Sequence, residues 1–176
     1  MARERPIIRE LGFTLVELLL TLAILAIALS IAAPNLSELL QNQRASTATH
    51  ELRNALDFAR ESAAHSGQAI SIAATGGDWA AGWEVFADSG NSGVRAPQQP
   101  PLAAHGPLSG IHIHTDSTSR RYLHFTPLGN AIQPNGAFHS GTLTLCGAGR
   151  ASYHIVFNKA GRIRTESGST EDYCPR

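Results

Sequence analysis

Alternating histidine and carboxylate are the first groups in this chain that could do chemistry: His112, His114 and Asp116 stand at i, i+2 and i+4. On a strand they would share one face, with Ile111 and Ile113 on the other, and could supply three ligands to a metal ion. The same pattern describes the polar face of a half-buried strand. No fourth ligand stands nearby in sequence, which favours the plainer reading. Serine, histidine and aspartate are plentiful, yet no Gly-x-Ser-x-Gly elbow or other nucleophile motif organises them. Gly147 to Gly149 lacks the lysine and serine of a phosphate-binding loop and reads as a turn. Nothing here implies an enzyme, and no cofactor or resident metal is expected.

A second constellation is electrostatic. The chain of 176 residues is formally neutral, but from Ser117 through Thr165 it has no Asp or Glu, while Arg120, Arg121, Arg150, Lys159, Arg162 and Arg164 fall inside that stretch with His124, His139 and His154. If the late strands are neighbours in one sheet, these charges make a positive edge that attracts phosphate. In Gly161-Arg162-Ile163-Arg164 the two arginines would project from one strand face, presenting paired guanidinium forks suited to phosphate oxygens. Lys159 and Arg150 are candidates for support, and Arg120 or Arg121 only if folding brings them close. The plainer alternative is two solvated arginines on an exposed strand.

A third feature is one carboxylate in an apolar run. Glu17 sits near the head of residues 13–34, a segment broken otherwise only by small polar residues and long enough as a helix to cross a bilayer core. A charge there is costly without a partner. A secretory signal peptide is the rival reading, because Arg3, Arg5 and Arg9 precede the run; such a peptide has no use for Glu17, nor for the amphipathic continuation beyond Pro34.

These groups need elements to position them. Residues 35–66 read as helix, with Leu36, Leu39, Leu40, Leu52, Ala55, Leu56, Ala59 and Ala63 on one stripe and Glu38, Arg44, Glu51, Arg53, Asp57, Arg60 and Glu61 mostly opposite. Pro34 should kink the helix rather than end it, and Gly67 supplies the stop. The period then changes to two. Residues 69–74, 82–87, 110–115, 121–126, 141–146, 152–158 and 162–165 read as strands of a largely antiparallel β domain covered by the helix stripe. Residues 88–109 hold four prolines and three glycines and read as a long surface loop, mobile or in contact with a partner. The fold class is α+β.

The amino-terminal pattern, a short charged leader ending at Gly12 and followed by Phe13-Thr14-Leu15-Val16-Glu17, resembles the type IV pilin-like proteins with a class III leader. That resemblance implies a leader of residues 1–12 removed by a prepilin peptidase after Gly12 and N-methylation of Phe13. It also implies that Glu17 neutralises the terminal amine of a neighbouring subunit during assembly. Opposite charges in an apolar bundle attract strongly when paired and are costly alone. The family organisation then runs as follows: residues 13–34 the membrane and assembly half of the helix, 35–66 its amphipathic half, and 67–176 a globular β domain.

The implied location is the bacterial inner membrane, single-pass with the carboxyl-terminal domain in the periplasm, and then the pilus at the cell surface. In an exported chain Cys146 and Cys174 read as a disulfide closing a loop of about 28 residues, worth about 3 kcal/mol; two free thiols are the alternative. More narrowly, the helix-plus-sheet layout and Asn158-Lys-Ala-Gly161-Arg162-Ile-Arg164 resemble the GspH/FimT branch, whose DNA-binding minor pilins carry a Gly-Arg-x-Arg motif. The implied partners are other pilin subunits through the helix, and double-stranded DNA for uptake in natural transformation. Glu166, Glu171 and Asp172 make the tail less basic than that motif alone. The alternatives within the branch are a minor pseudopilin of type II secretion and a minor pilin that acts only in starting pilus assembly.

Overall fold

The computed structural model describes residues 14–174, so Gly12 and Phe13 lie outside the described residues. The chain divides into two compact units at Ser37/Glu38. Helix α1 (Leu15–Ser66) begins in the first, its backbone remaining helical through Pro34. Thr14 caps it: the Thr14 hydroxyl accepts the Glu17 backbone N–H at 3.2 Å, and the Glu17 carboxylate accepts the Thr14 N–H at 3.1 Å. This reciprocal capping box satisfies two donors that a helix start leaves open. The Leu and Ile side chains from Leu15 to Leu29 are exposed, and the segment is long and apolar enough to cross a membrane.

In the second unit α1 offers a stripe of mostly small side chains, Ala45, Ala48, Thr49, Leu52, Leu56, Ala59 and Ala63, all buried. Two antiparallel sheets pack on it in one continuous apolar core. The first has the order β3-β2-β1-β5-β6, from β1 (Ile70–Ala74), β2 (Trp83–Ala87), β3 (Ala103–His105), β5 (Tyr122–Phe125) and β6 (Ala131–Ile132). The second has the order β4-β7-β8-β9, from β4 (Ile111–Thr115), β7 (Gly141–Gly147), β8 (Ala151–Phe157) and β9 (Ile163–Ser169). A short helix α2 (Thr170–Tyr173) follows. All seven expected strands form; β3, β6 and α2 were not expected.

Leu36, Leu39 and Leu40 do not join the buried stripe and are exposed. Within the second unit, the sheet facing the helix reaches back only to the level where Gly147 approaches Ala45 and the Gln41 carbonyl.

The loop over residues 88–109 is not loose. Ser71, Phe86 and His124 lie on the sheet face turned away from the helix, and the start of the loop folds over them. Asp88 is the anchor: its carboxylate accepts the Ser71 hydroxyl at 2.8 Å, the Ser92 N–H at 3.0 Å and the Gly93 N–H at 2.8 Å. Arg95 closes onto Glu84 at 2.8 Å, and the loop ends in strand β3 against β2. Asp116 does the same for the second sheet, accepting Thr118, Ser119 and Thr142 donors at 2.8 Å each. It therefore does not align with His112 and His114, which stay exposed on the edge strand β4. Among the described residues no group of three or more His, Cys, Asp or Glu side chains could hold a metal.

The tail covers part of the outer face of the second sheet. Cys146 is joined to Cys174, the Tyr173 ring stacks on His154 with centroids 3.7 Å apart, and Gly168 leaves room for that ring. Ser169 caps α2, bonded to Asp172 at 2.7 Å.

Two outcomes are expected. Cys146→Ser with Cys174→Ser should lower unfolding stability by about 3 kcal/mol; a urea midpoint unmoved by the change would contradict a closed loop of 28 residues. The second concerns pH. Burial is the larger influence on both His124 and His139 and holds them below the ordinary 6.5, outweighing Asp88 and Asp116. A histidine kept neutral in the fold contributes its stability above the unfolded value of 6.5 and loses it as pH falls below. Asp88 and Asp116, held below 3.8 by the hydrogen bonds they accept despite burial, add a second loss as pH falls through and below that value. Urea midpoints should therefore decline between pH 6.5 and 5 and fall again below about 4; a flat profile down to pH 5 would contradict the buried neutral histidines.

Candidate functional site

The β8–β9 hairpin turn is built by Asn158. The Gly161 N–H donates to its carbonyl at 2.8 Å, and its side-chain oxygen accepts the Ala160 and Arg162 N–H groups at 3.1 Å each. This is the side-chain-to-backbone bonding that makes asparagine a turn former. Gly161 closes the turn at φ 74°, a left-handed conformation that only glycine adopts without steric cost. It also lies against the backbone of another turn, where a Cβ would collide with the Gly129 carbonyl. That carbonyl accepts the Arg60 side chain of α1 at 3.3 Å. Helix, turn and hairpin thus meet at one point.

From this point β9 leaves with Arg162 and Arg164 exposed and Ile163 buried between them, the alternation that the sequence implies. The two arginines line one shallow depression of about 130 Å³ with Val156 and Asn158. Arg164 is bonded to Glu166 on the same strand at 2.8 Å. Arg162 has no side-chain partner among the described residues. Lys159 stands in the same turn, its ammonium 5.9 Å from the centre of the Phe138 ring.

The other basic candidates do not gather here. Arg150 sits in the β7–β8 turn, at the far end of β8. Six residue steps from Ala151 to Phe157 put the two ends about 20 Å apart, and Arg150 is paired at 3.4 Å with Glu38. Arg120 lines a different depression, with Asp78, His114 and Asp116. Of the tail carboxylates, Glu166 reaches the arginine pair, Asp172 is taken up in capping α2, and Glu171 lines a depression with Arg150.

Two buried Ser-His-Asp clusters also form. In one, Ser71 bonds Asp88 and lies 2.9 Å from His124; in the other, Ser119 lies 3.3 Å from His139 beside Asp116. Both serines are wholly buried, out of reach of a substrate. They hold loops in place.

Sequence reasoning did not single out Phe138, and it placed Arg60 on the polar helix face and Thr14 in the leader motif without finding the contacts they make. The Thr-x-x-Glu spacing of a capping box was there to find Thr14; no pattern marks the other two.

Comparison with known proteins accords with this layout. The family model described as Type II transport protein GspH matches residues 48–161, and the prokaryotic N-terminal methylation motif matches residues 8–33. Among solved structures the chain is similar to the type IV minor pilin FimU of Pseudomonas aeruginosa, at 26% identity over 70% of this chain and 89% of that one, with a TM-score of 0.57. A second crystal form of FimU gives 27% identity over 69% and 91%, with a TM-score of 0.55. The minor pseudopilin EpsH from the type 2 secretion system of Vibrio cholerae shares the fold, at 13% identity over 70% and 97%, with a TM-score of 0.52. A search of curated proteins gave no significant match.

Gly161→Ala should destabilise the hairpin by about 1–2 kcal/mol from the left-handed backbone alone, and by more from the collision with Gly129. Thermal melts in which the variant matches wild type would show that the turn is not held as described.

Proposed function

The chain belongs to the GspH family of pilin-like proteins, and from that premise we propose that it is a minor type IV pilin that binds DNA through the basic end of its second sheet. The observation that carries the reading is the exposed pair Arg162 and Arg164 in one depression beside Lys159. Guanidinium forks on one strand face match phosphate oxygens two at a time. The Arg164–Glu166 pair is exposed on both sides, so exchanging Glu166 for a phosphate costs little. With no built pocket for a base edge, binding rests on the backbone and is largely independent of sequence. Uptake of DNA in natural transformation is the role this serves.

The remaining parts follow the family's use of the amino terminus. A prepilin peptidase cuts between Gly12 and Phe13, Phe13 is methylated, and the apolar half of α1 holds the chain in the inner membrane with its sheets on the periplasmic side. Assembly into the pilus then brings the helix against other pilins. Glu17 makes its capping bonds in the isolated chain and is positioned at the helix start, where a neighbour's terminal amine would meet it.

A second reading, a minor pseudopilin of type II secretion, is favoured by the description of the family model that matches. DNA binding separates the two. The full chain in neutral detergent should shift duplex DNA at low salt, with log affinity falling against log salt at a slope of about −3 for three phosphates neutralised. Arg162→Ala with Arg164→Ala should weaken binding at least tenfold without lowering the melting temperature. A double variant that binds as well as wild type would sink the arginine site; a wild-type chain that binds no DNA, but is required for protein secretion, would favour the second reading.

A further inference from the structure

Phe138 is out of keeping with the chain's other large aromatic side chains. Among the described Phe and Trp side chains, Trp79, Trp83, Phe86, Phe125 and Phe157 are buried and Phe58 is 41% exposed, whereas Phe138 is 59% exposed, more than any other. A single exposed ring is ordinary by itself; its surroundings are what give it meaning. It projects from a fixed backbone: Phe138 pairs with Ile132, its carbonyl accepts the Gln133 side chain at 3.2 Å, and the next residue donates to the Ala131 carbonyl at 2.9 Å. Lys159 stands 5.9 Å from the ring centre, near the outer limit of a cation–π contact. The ammonium is close enough to meet a phosphate beside the ring and loose enough to move aside. Three residues further along the same turn begins the arginine pair. Leu128, 84% exposed, stands on the turn that abuts Gly161.

We propose that Phe138 and Lys159 form a stacking platform for an unpaired base, so that this end of the protein prefers single-stranded DNA, or a duplex end with an overhang, to continuous duplex. The inference rests on the DNA-binding reading and adds a substrate class to it. The physical reason is that in a continuous duplex both faces of every base are covered by neighbouring bases, leaving an exposed aromatic ring with only sugar and phosphate to touch. An unpaired base has a free face. A rigidly presented ring beside cations that hold the backbone is the combination by which single strands are bound without regard to sequence.

The test uses the full chain in neutral detergent and fluorescence anisotropy at one salt concentration, with labelled oligothymidine, a blunt duplex and a duplex carrying a single-stranded overhang. Wild type should bind oligothymidine and the overhang more tightly than the blunt duplex. Phe138→Ala should weaken oligothymidine binding about tenfold and change blunt-duplex binding less than twofold, while Arg162→Ala with Arg164→Ala weakens both. Phe138→Trp keeps a stacking surface and should retain the preference, its fluorescence quenched on adding oligothymidine. If wild type binds single strand and duplex alike, or if Phe138→Ala weakens both equally, the stacking platform is overturned and the arginine site stands. If wild type binds none of the three, the DNA reading falls and this inference with it.

Discussion

Two sheets share one core because α1 offers them a surface of mostly small side chains. Ala45, Ala48, Ala59 and Ala63 let strands approach closely, while Leu52 and Leu56 fill the space between, each leucine contributing about 1.5–3 kcal/mol by burial. The site at the β8–β9 turn depends on this arrangement. Arg60, on the same helix, holds the Gly129 carbonyl, the turn bearing that carbonyl abuts Gly161, and Gly161 starts the strand that carries both arginines. Replacing a stripe alanine with a larger side chain would move the sheet and, through it, the geometry of the basic end.

The helix covers only the inner sheet faces, so the outer faces need other cover. Each sheet solves this differently. The loop after β2 folds over the first sheet with Asp88 as its anchor, and the disulfide-bound tail lies over part of the second. What stays open on the second sheet is the end where Arg164 and Val156 stand. A formally neutral chain thus shows a local positive surface because several carboxylates are engaged elsewhere: Asp88 and Asp116 by loop donors, Asp172 by a helix cap, Glu38 by Arg150.

Much of this was legible from residue order. Period-two patterning located seven strands, the helical stripe was visible from Leu52 onward, and the alternation of Arg162, Ile163 and Arg164 correctly implies two exposed arginines around an inward isoleucine. What escaped notice depended on distant contacts. The loop after β2 looks unstructured because groups that order it, Ser71 and Tyr122, lie on other strands, and the Arg95 bond to Glu84 of β2 leaves no periodic trace. Strands β3 and β6 are too short to show a period. The basic residues between Ser117 and Thr165 look like one patch in a linear reading, yet the length of β8 parts Arg150 from Lys159. Leu36, Leu39 and Leu40 fit the helical stripe by spacing but are exposed, Leu40 lining a depression with Leu108 and Ile111 rather than joining the core.

The helix also acts as a ruler. Asn42 holds the Ala151 N–H at 3.0 Å, and Arg60 holds the Gly129 carbonyl; the eighteen residue steps of helix from one to the other amount to about 27 Å. Thiol oxidation and tail docking take place at the first mark, cation display at the second. The two marks are also joined by β8, which runs from Ala151 beside the first to Phe157 beside the second within one apolar core. Helix and strand together thus set the spacing between the disulfide-bound tail and the exposed turn that carries Lys159 and Arg162.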